Sequence, residues 1–161
     1  MNIAKTHKPV PILSDGDLAA GASLSCDSIN MKNYHRVTFL VNFQALGGAA
    51  SYVLLYSGAT DGALTSALTF RYAFGAAAQG SANADVFTTK ATSANLSVAH
   101  ATYDNFGLII EVDASDMDIA NAEEWLTLTF ADTDTGATGN VSVWALLEPR
   151  YSCDLTETAL A

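Results

Sequence analysis

The sequence predicts an all-β fold, a single-domain antiparallel β-sandwich entered through an extended N-terminal arm. Three observations predict it. Short runs of apolar residues with strand-like alternation recur along the whole chain. Turn residues punctuate them, at Gly47-Gly48, Gly58, Asp61-Gly62, Gly75, Gly80, Thr135-Gly136 and Gly139-Asn140. No apolar stripe at helical spacing continues beyond about three turns. The chain has 161 residues, half of them hydrophobic and 15% charged, which suits one domain with a substantial core.

The elements follow in order. Residues 1–16 hold Pro9 and Pro11, and the Pro9-Val10-Pro11 segment favours extended backbone, as an arm or an edge strand. Val37 to Phe43 puts Val37, Phe39, Val41 and Phe43 on one face. Ser51 to Ser57 and Leu68 to Phe74 read as strands whose aromatic residues Tyr52, Tyr56, Phe70, Tyr72 and Phe74 belong to the core. Ala84 to Thr89 and Asn95 to Ala99 are weaker strand candidates. Phe106 to Val112 is nearly all apolar, the pattern of a strand buried on both faces. Trp125 to Phe130 alternates, and Val141 to Leu147 closes the series. Gly75 to Ala84 is alanine-rich and reads as a loop, with a helix as the competing reading. The acidic stretch 111–124 has a brief helical turn at Ser115-Asp116. The domain organisation is an arm at 1–16, a sandwich at 17–150 and a tail at 151–161.

Charge is lopsided along the chain. Residues 1–100 carry six basic and five acidic side chains, whereas residues 101–161 carry twelve acids and one basic residue, Arg150. The formal net charge is −10, which argues against a nucleic-acid partner. No apolar run reaches the roughly 18–20 residues of a membrane-spanning helix. No secretory h-region follows the start, and Cys26 and Cys153 are expected as free thiols.

Catalytic chemistry has little support. There is no G-x-S-x-G elbow, no zinc spacing and no phosphate loop. His7, His35 and His100 are far apart in sequence and read as surface or packing residues. Asp113, Asp116 and Asp118, with Asp132 to Gly136, resemble a calcium loop, but glycine falls fifth and Val143 twelfth, against the EF-hand pattern. Glu123 and Glu124 precede Trp125, yet adjacent strand residues point to opposite faces and cannot flank one sugar. No catalytic residue, metal or cofactor is assigned. What remains is an interaction or assembly module.

Five segments carry a resemblance: Lys8-Pro9-Val10-Pro11-Ile12-Leu13, Met31-Lys32-Asn33-Tyr34-His35, Phe70-Arg71-Tyr72, Glu111-Val112-Asp113-Ala114-Ser115 and Glu148-Pro149-Arg150-Tyr151. In these the chain resembles small structural proteins of tailed bacteriophages and prophages, similar in role to capsid decoration, or cement, proteins. The resemblance implies a jelly-roll-like sandwich, a homotrimer, and the major capsid protein as partner. It implies a place on the outer surface of the virion, after synthesis in the host bacterial cytoplasm. Expected contacts with the capsid or a neighbouring copy are Lys5, Lys8, Pro9, Pro11, Tyr34, His35 and Arg36, with the acidic second half facing solvent. The alternatives are a head–tail connector or tail protein, and a virion-displayed carbohydrate-binding module using Trp125, Trp144 or Tyr103.

Overall fold

A computed structural model describes residues 6–18, 22–48, 50–132, 137–151 and 158–160. In chain order its strands are β1 (Lys8–Asp17), β2 (Ser23–Ser25), β3 (Ile29–Asn30), β4 (Tyr34–Gly47), β5 (Ala50–Gly58), β6 (Ser66–Ala67), β7 (Phe70–Phe74), β8 (Ala91–Ser93), β9 (Leu96–Ala99), β10 (Gly107–Asp113), β11 (Trp125–Ala131) and β12 (Thr138–Pro149). One short helix, α1 (His100–Tyr103), lies between β9 and β10. The strands form two antiparallel six-stranded sheets. The first runs β1-β12-β4-β10-β7-β8. In the second, β2 and β3 pair with one side of β11, β5 pairs with the other, and β6 and β9 pair with the far side of β5. The protein is an all-β sandwich.

Alternation builds the core. On the first sheet Val10 and Ile12 of β1, Val37, Phe39, Val41 and Phe43 of β4, Leu108 and Ile110 of β10, and Val143 and Leu147 of β12 are buried. They meet Val53 and Leu55 of β5 and Leu126, Leu128 and Phe130 of β11 in one hydrophobic cluster. Phe43 packs edge-on against Phe130 across the sandwich, with ring centroids 6.2 Å apart.

Several expectations are corrected here. Of the two readings for residues 8–16, an arm or an edge strand, the edge strand holds and the arm does not. These residues belong to β1, an edge strand that pairs with β12 from Lys8 opposite Leu147 to Asp17 opposite Asn140. Burial of Val10 and Ile12 explains why the segment is held to the sheet. Two prolines are compatible with this place because an edge strand leaves one side of its ladder unpaired. Residues 1–5, 152–157 and 161, which include Lys5 and Cys153, lie outside the described residues. Phe106 to Val112 is not buried on both faces. Leu108, Ile110 and Val112 point inward, and Ile109 and Glu111 are half-buried on the outer face. Ala84 to Thr89 forms no strand, only an isolated bridge of Phe87 to Gly75. The Gly75 to Ala84 stretch is a loop.

Polar groups also enter the interior. The inward face of β5 reads Ser51, Val53, Leu55, Ser57, so a hydroxyl sits at each end of an apolar pair. Ser51 Oγ bonds His100 Nε2 at 2.8 Å, and His100 Nδ1 bonds the Gly47 carbonyl at 2.5 Å. At the other end Ser57 Oγ donates to Glu123 Oε2 at 2.5 Å, and Ser66 Oγ donates to Glu123 Oε1 at 3.1 Å. Ser51, Ser57, His100 and Glu123 thus each have a partner, as a low-dielectric interior requires. Tyr52 and Tyr56 consequently sit on the outer face of β5 rather than in the core. Burial pushes the Cys26 thiol up to about 12, with the charge of Asp27 adding to it.

Candidate interaction surface

Residues paired across an antiparallel ladder lie on the same face, so the registers map the outer surface of the first sheet row by row. One row is apolar: Pro11, Trp144, Leu40, Ile109 and Ala73, on β1, β12, β4, β10 and β7. The next reads Pro9, Leu146, Thr38, Glu111 and Arg71 on the same strands. A third reads Glu148, Arg36 and Asp113 on β12, β4 and β10. Trp144 is 49% exposed and Leu40 39%. At the far side Ala73 is buried. There the Gly75 to Ala84 loop returns over the sheet, with the Gln79 side chain donating to Asn42 and its backbone N–H to the Asn105 carbonyl.

A band of ion pairs borders the apolar row. Arg36 Nε donates to Asp113 Oδ1 and Arg71 Nη2 to Asp113 Oδ2, both at 2.6 Å. Lys90 Nζ reaches both oxygens of Glu111, at 2.6 and 2.8 Å. The hydrogen bond from Arg36 holds the Asp113 carboxyl below its ordinary range, with partial burial opposing and Arg71 assisting. The same contact raises the Arg36 guanidinium. These pairs join basic residues of the first hundred to acids of the remainder. The expected solvent-facing acidic half is corrected in part, since Glu123 and Asp132 are buried and Glu111 and Asp113 are engaged with cations.

Beside this band, at one end of the sandwich, lies a cleft of about 480 Å³ lined by His35, Arg36, Asp113, Ile119, Glu148 and Arg150 among others. A second, of about 260 Å³, includes Met117, Ile119, Glu123 and Arg150. Between them Ile119 stands 64% exposed on a 3-10 turn, Ile119–Asn121. The end is braced by Arg150, whose Nε donates to the Tyr34 carbonyl at 2.9 Å and whose backbone N–H donates to the Asn33 carbonyl at 2.8 Å.

The expected contact residues divide. Pro9, Pro11 and Arg36 share the outer face of the first sheet. His35 is exposed where the β12–β4 register shifts, between the Glu148–Arg36 and Pro149–Tyr34 pairs. Lys8 and Tyr34 are buried, at 7% and 8% exposure, which removes them as surface contacts. Lys8 faces inward by the alternation of β1, and its Nζ has no hydrogen-bond partner among the described residues. Trp144 and Leu40 were the residues missed as part of this face. Their signal was an apolar residue at the outward position of a strand whose inward positions were already apolar.

The other candidate chemistry is absorbed by structure. Ser51 and His100 form a serine–histidine pair, but they are 1% and 0% exposed, and a backbone carbonyl occupies the place a carboxylate would take. Asp116 accepts from the Asp113 backbone and Asp118 from Asn121, so these acids organise two 3-10 turns. Among the described residues no three His, Cys, Asp or Glu side chains are grouped to hold a metal ion. Residues 133–136 of the calcium-like motif lie outside the described residues. Of the aromatic candidates for a sugar, Tyr103 has one ring face stacked on Phe74 at 3.8 Å and Trp125 is half-buried, leaving Trp144 the most open of the three. No protein-family model matches the sequence, and no curated protein matches it.

Proposed function

We propose that this chain is a structural virion protein that binds the outside of a tailed-phage capsid as a decoration protein, stabilising the shell by bridging neighbouring capsomers. The observation that carries this reading is a convergence. The five segments that resemble phage structural proteins are scattered from residue 8 to residue 151. They fall on β1, the start of β4, β7, the end of β10 and the end of β12, five neighbouring strands of one sheet. Their registers bring them to the same end of that sheet, where Glu148 is opposite Arg36, Arg36 opposite Asp113 and Glu111 opposite Arg71. The gathered surface is charge-paired and fissured, and it suits contact with folded protein.

The strand order supports the jelly-roll reading of the fold. Strands β1, β12, β4 and β10 are adjacent in one sheet, and β2, β11, β5 and β9 in the other. Taken in chain order, the eight switch sheets at every step except β5 to β9, which pair in the second sheet, as in a double Greek key, an architecture common among capsid and lectin domains. Fold analogy alone does not fix a role, and the converging segments carry the argument. The partner in this reading is the major capsid protein, met through His35, Arg36 and the Arg150 end.

Co-sedimentation tests it. The protein is mixed with assembled shells lacking it, and with free capsid subunits. Stoichiometric binding to shells and not to subunits is expected, with His35→Glu weakening it about tenfold. Absence of the wild-type protein from the shell pellet would overturn the reading. Truncation is a poor test, because removing residues 1–12 takes away much of β1 and two core residues, Val10 and Ile12.

A further inference from the structure

We propose that residues 158–160 are a strap that closes one edge of the sandwich and gates access to two reactive side chains behind it, Lys8 and Cys26. The seam it closes lies between β1 of the first sheet and the β2–β3 region of the second. Contacts along β1 trace that seam. A Cβ on Gly16 would meet the Leu24 side chain at 2.5 Å, so this end of β1 lies over β2. Four residues back, the Ile12 carbonyl accepts the Asp27 N–H at 3.1 Å and stitches the two layers together. Four residues further back is Lys8, which therefore lies beside β3. There the Asn30 N–H donates not to β1 but to the carbonyl of Ala159, at 2.9 Å.

The strap is a wedge in this seam. Ala159 is buried in the hydrophobic cluster, and Leu160 is half-buried against it. Leu160 also lines a cleft of about 300 Å³ together with Cys26, Asp27, Ser28, Asp61 and Gly62. Cys26 is buried at the back of that cleft. Lys8 faces inward, and its buried Nζ has no hydrogen-bond partner among the described residues. An amine that is neither hydrated nor paired is a cost to the closed form. Opening the seam beside it returns water to the amine, so the position of Lys8 favours release of the strap.

The attachment is light. Among the described residues one backbone hydrogen bond, from Asn30, ties the strap to the sandwich. Its other bonds are internal, since Thr158 Oγ1 accepts the Leu160 N–H at 3.1 Å and donates to the Leu160 carbonyl at 3.2 Å. The one fully buried side chain is a methyl group, a small apolar contribution that the entropy of ordering three residues opposes. β1, by contrast, is held along its length by its ladder to β12. A segment held so lightly opens while the rest of the sandwich stays folded. Opening brings the Lys8 amine to solvent. It also relieves the burial that pushes the Cys26 thiol up to about 12, which leaves an ordinary reactive thiol.

Chemical labelling of the full chain tests this without any capsid. In a Cys153→Ser background Cys26 is the sole thiol. Its reaction with a neutral aromatic disulfide is timed, and acetylation of Lys8 by acetic anhydride is followed by mass spectrometry. Both groups should label slowly, at rates that scarcely change with urea below the unfolding transition, as a local opening requires. Ala159→Asp puts a charge where the buried methyl sits, and should speed both at least about tenfold while unfolding stays cooperative. If that variant does not fold, Ala159→Gly should give a smaller, parallel rise. His100→Ala, which weakens the opposite end of the sandwich, should leave both rates unchanged. Labelling that climbs with urea in step with global unfolding, acceleration by His100→Ala, undiminished protection in the Ala159 variants, or release of Cys26 while Lys8 stays protected would each overturn the proposal.

Discussion

The two sheets of this sandwich finish their outer faces differently. On the second sheet the outward residues of β11 include Thr127 and Thr129, both buried. Thr127 Oγ1 bonds Ser28 Oγ at 2.7 Å, Ser28 Oγ accepts the Gly62 N–H at 3.0 Å, and Ser25 Oγ bonds Thr129 Oγ1 at 3.3 Å. Hydroxyls and a returning loop close the β11 part of that face with the chain's own atoms, while Tyr52, Leu54 and Tyr56 of β5 stay partly exposed. On the first sheet the described residues cover the Ala73 side, through Gln79, and leave Trp144 and Leu40 open. A face sealed by its own hydrogen bonds has no need of a partner. A face that ends in exposed indole and leucine has apolar area that another surface can cover, worth roughly 25 cal/mol for each Å² removed from water.

Perturbing the closed side should cost stability, and perturbing the open side should cost little. The largest expected effect is at Cys26, packed behind β2 on the closed side. Its folded pKa is raised above the unfolded value, so its contribution is full below about pH 9 and is lost as pH rises towards 12. At about 1.4 kcal/mol per pH unit this amounts to as much as ~4 kcal/mol, readable as a falling denaturation midpoint in alkali that Cys26→Ala abolishes. Next is His100→Ala, which leaves the Ser51 hydroxyl and Gly47 carbonyl buried without their partner and opens a cavity. A loss of about 3 kcal/mol is expected in urea unfolding. Thr127→Val removes the partner of Ser28 while keeping shape, and should cost about 1 kcal/mol by the same measurement. On the open side Asp113→Asn weakens two partly exposed ion pairs, for about 0.5–1 kcal/mol at neutral pH. In the wild type the Asp113 pKa is depressed, so that contribution is present above the ordinary carboxylate range and is lost as pH falls through the folded value. The smallest effect on folding belongs to Trp144→Ser, within about 0.5 kcal/mol, since the side chain projects from the sheet. If Trp144→Ser were as destabilising as His100→Ala, the distinction between the two sides would collapse.

The sandwich was legible from alternation, and the reason is physical. Val37, Phe39, Val41 and Phe43 repeat with the strand period, and burial on one face follows from it. Strands of two or three residues, β2, β3, β6 and β8, were not legible, because a run that short has no period to read. Nor was β1 distinguishable from a free arm. Its prolines state an extended backbone, whereas its pairing with β12 joins residues more than a hundred positions apart. Ser51 and Ser57 looked like the polar ends of an apolar strand, yet they face inward to His100 and Glu123, whose burial is set by tertiary packing. For the surface, Pro9, Pro11, His35 and Arg36, singled out from their chemistry, are exposed. Trp144 was seen only as one aromatic among several, since the row it forms with Leu40 and Pro11 exists only once three strands lie side by side.

The most direct test of the central claim, that the Trp144 face is the one left open for a partner, uses the indole itself. In a Trp125→Phe background Trp144 is the sole tryptophan. Its emission and its quenching by acrylamide would be compared in the dilute folded chain and in urea. Long-wavelength emission, quenched in the folded chain nearly as readily as in urea, is the predicted result. Short-wavelength emission shielded from the quencher in the folded chain would contradict the account, because the face would then already be covered.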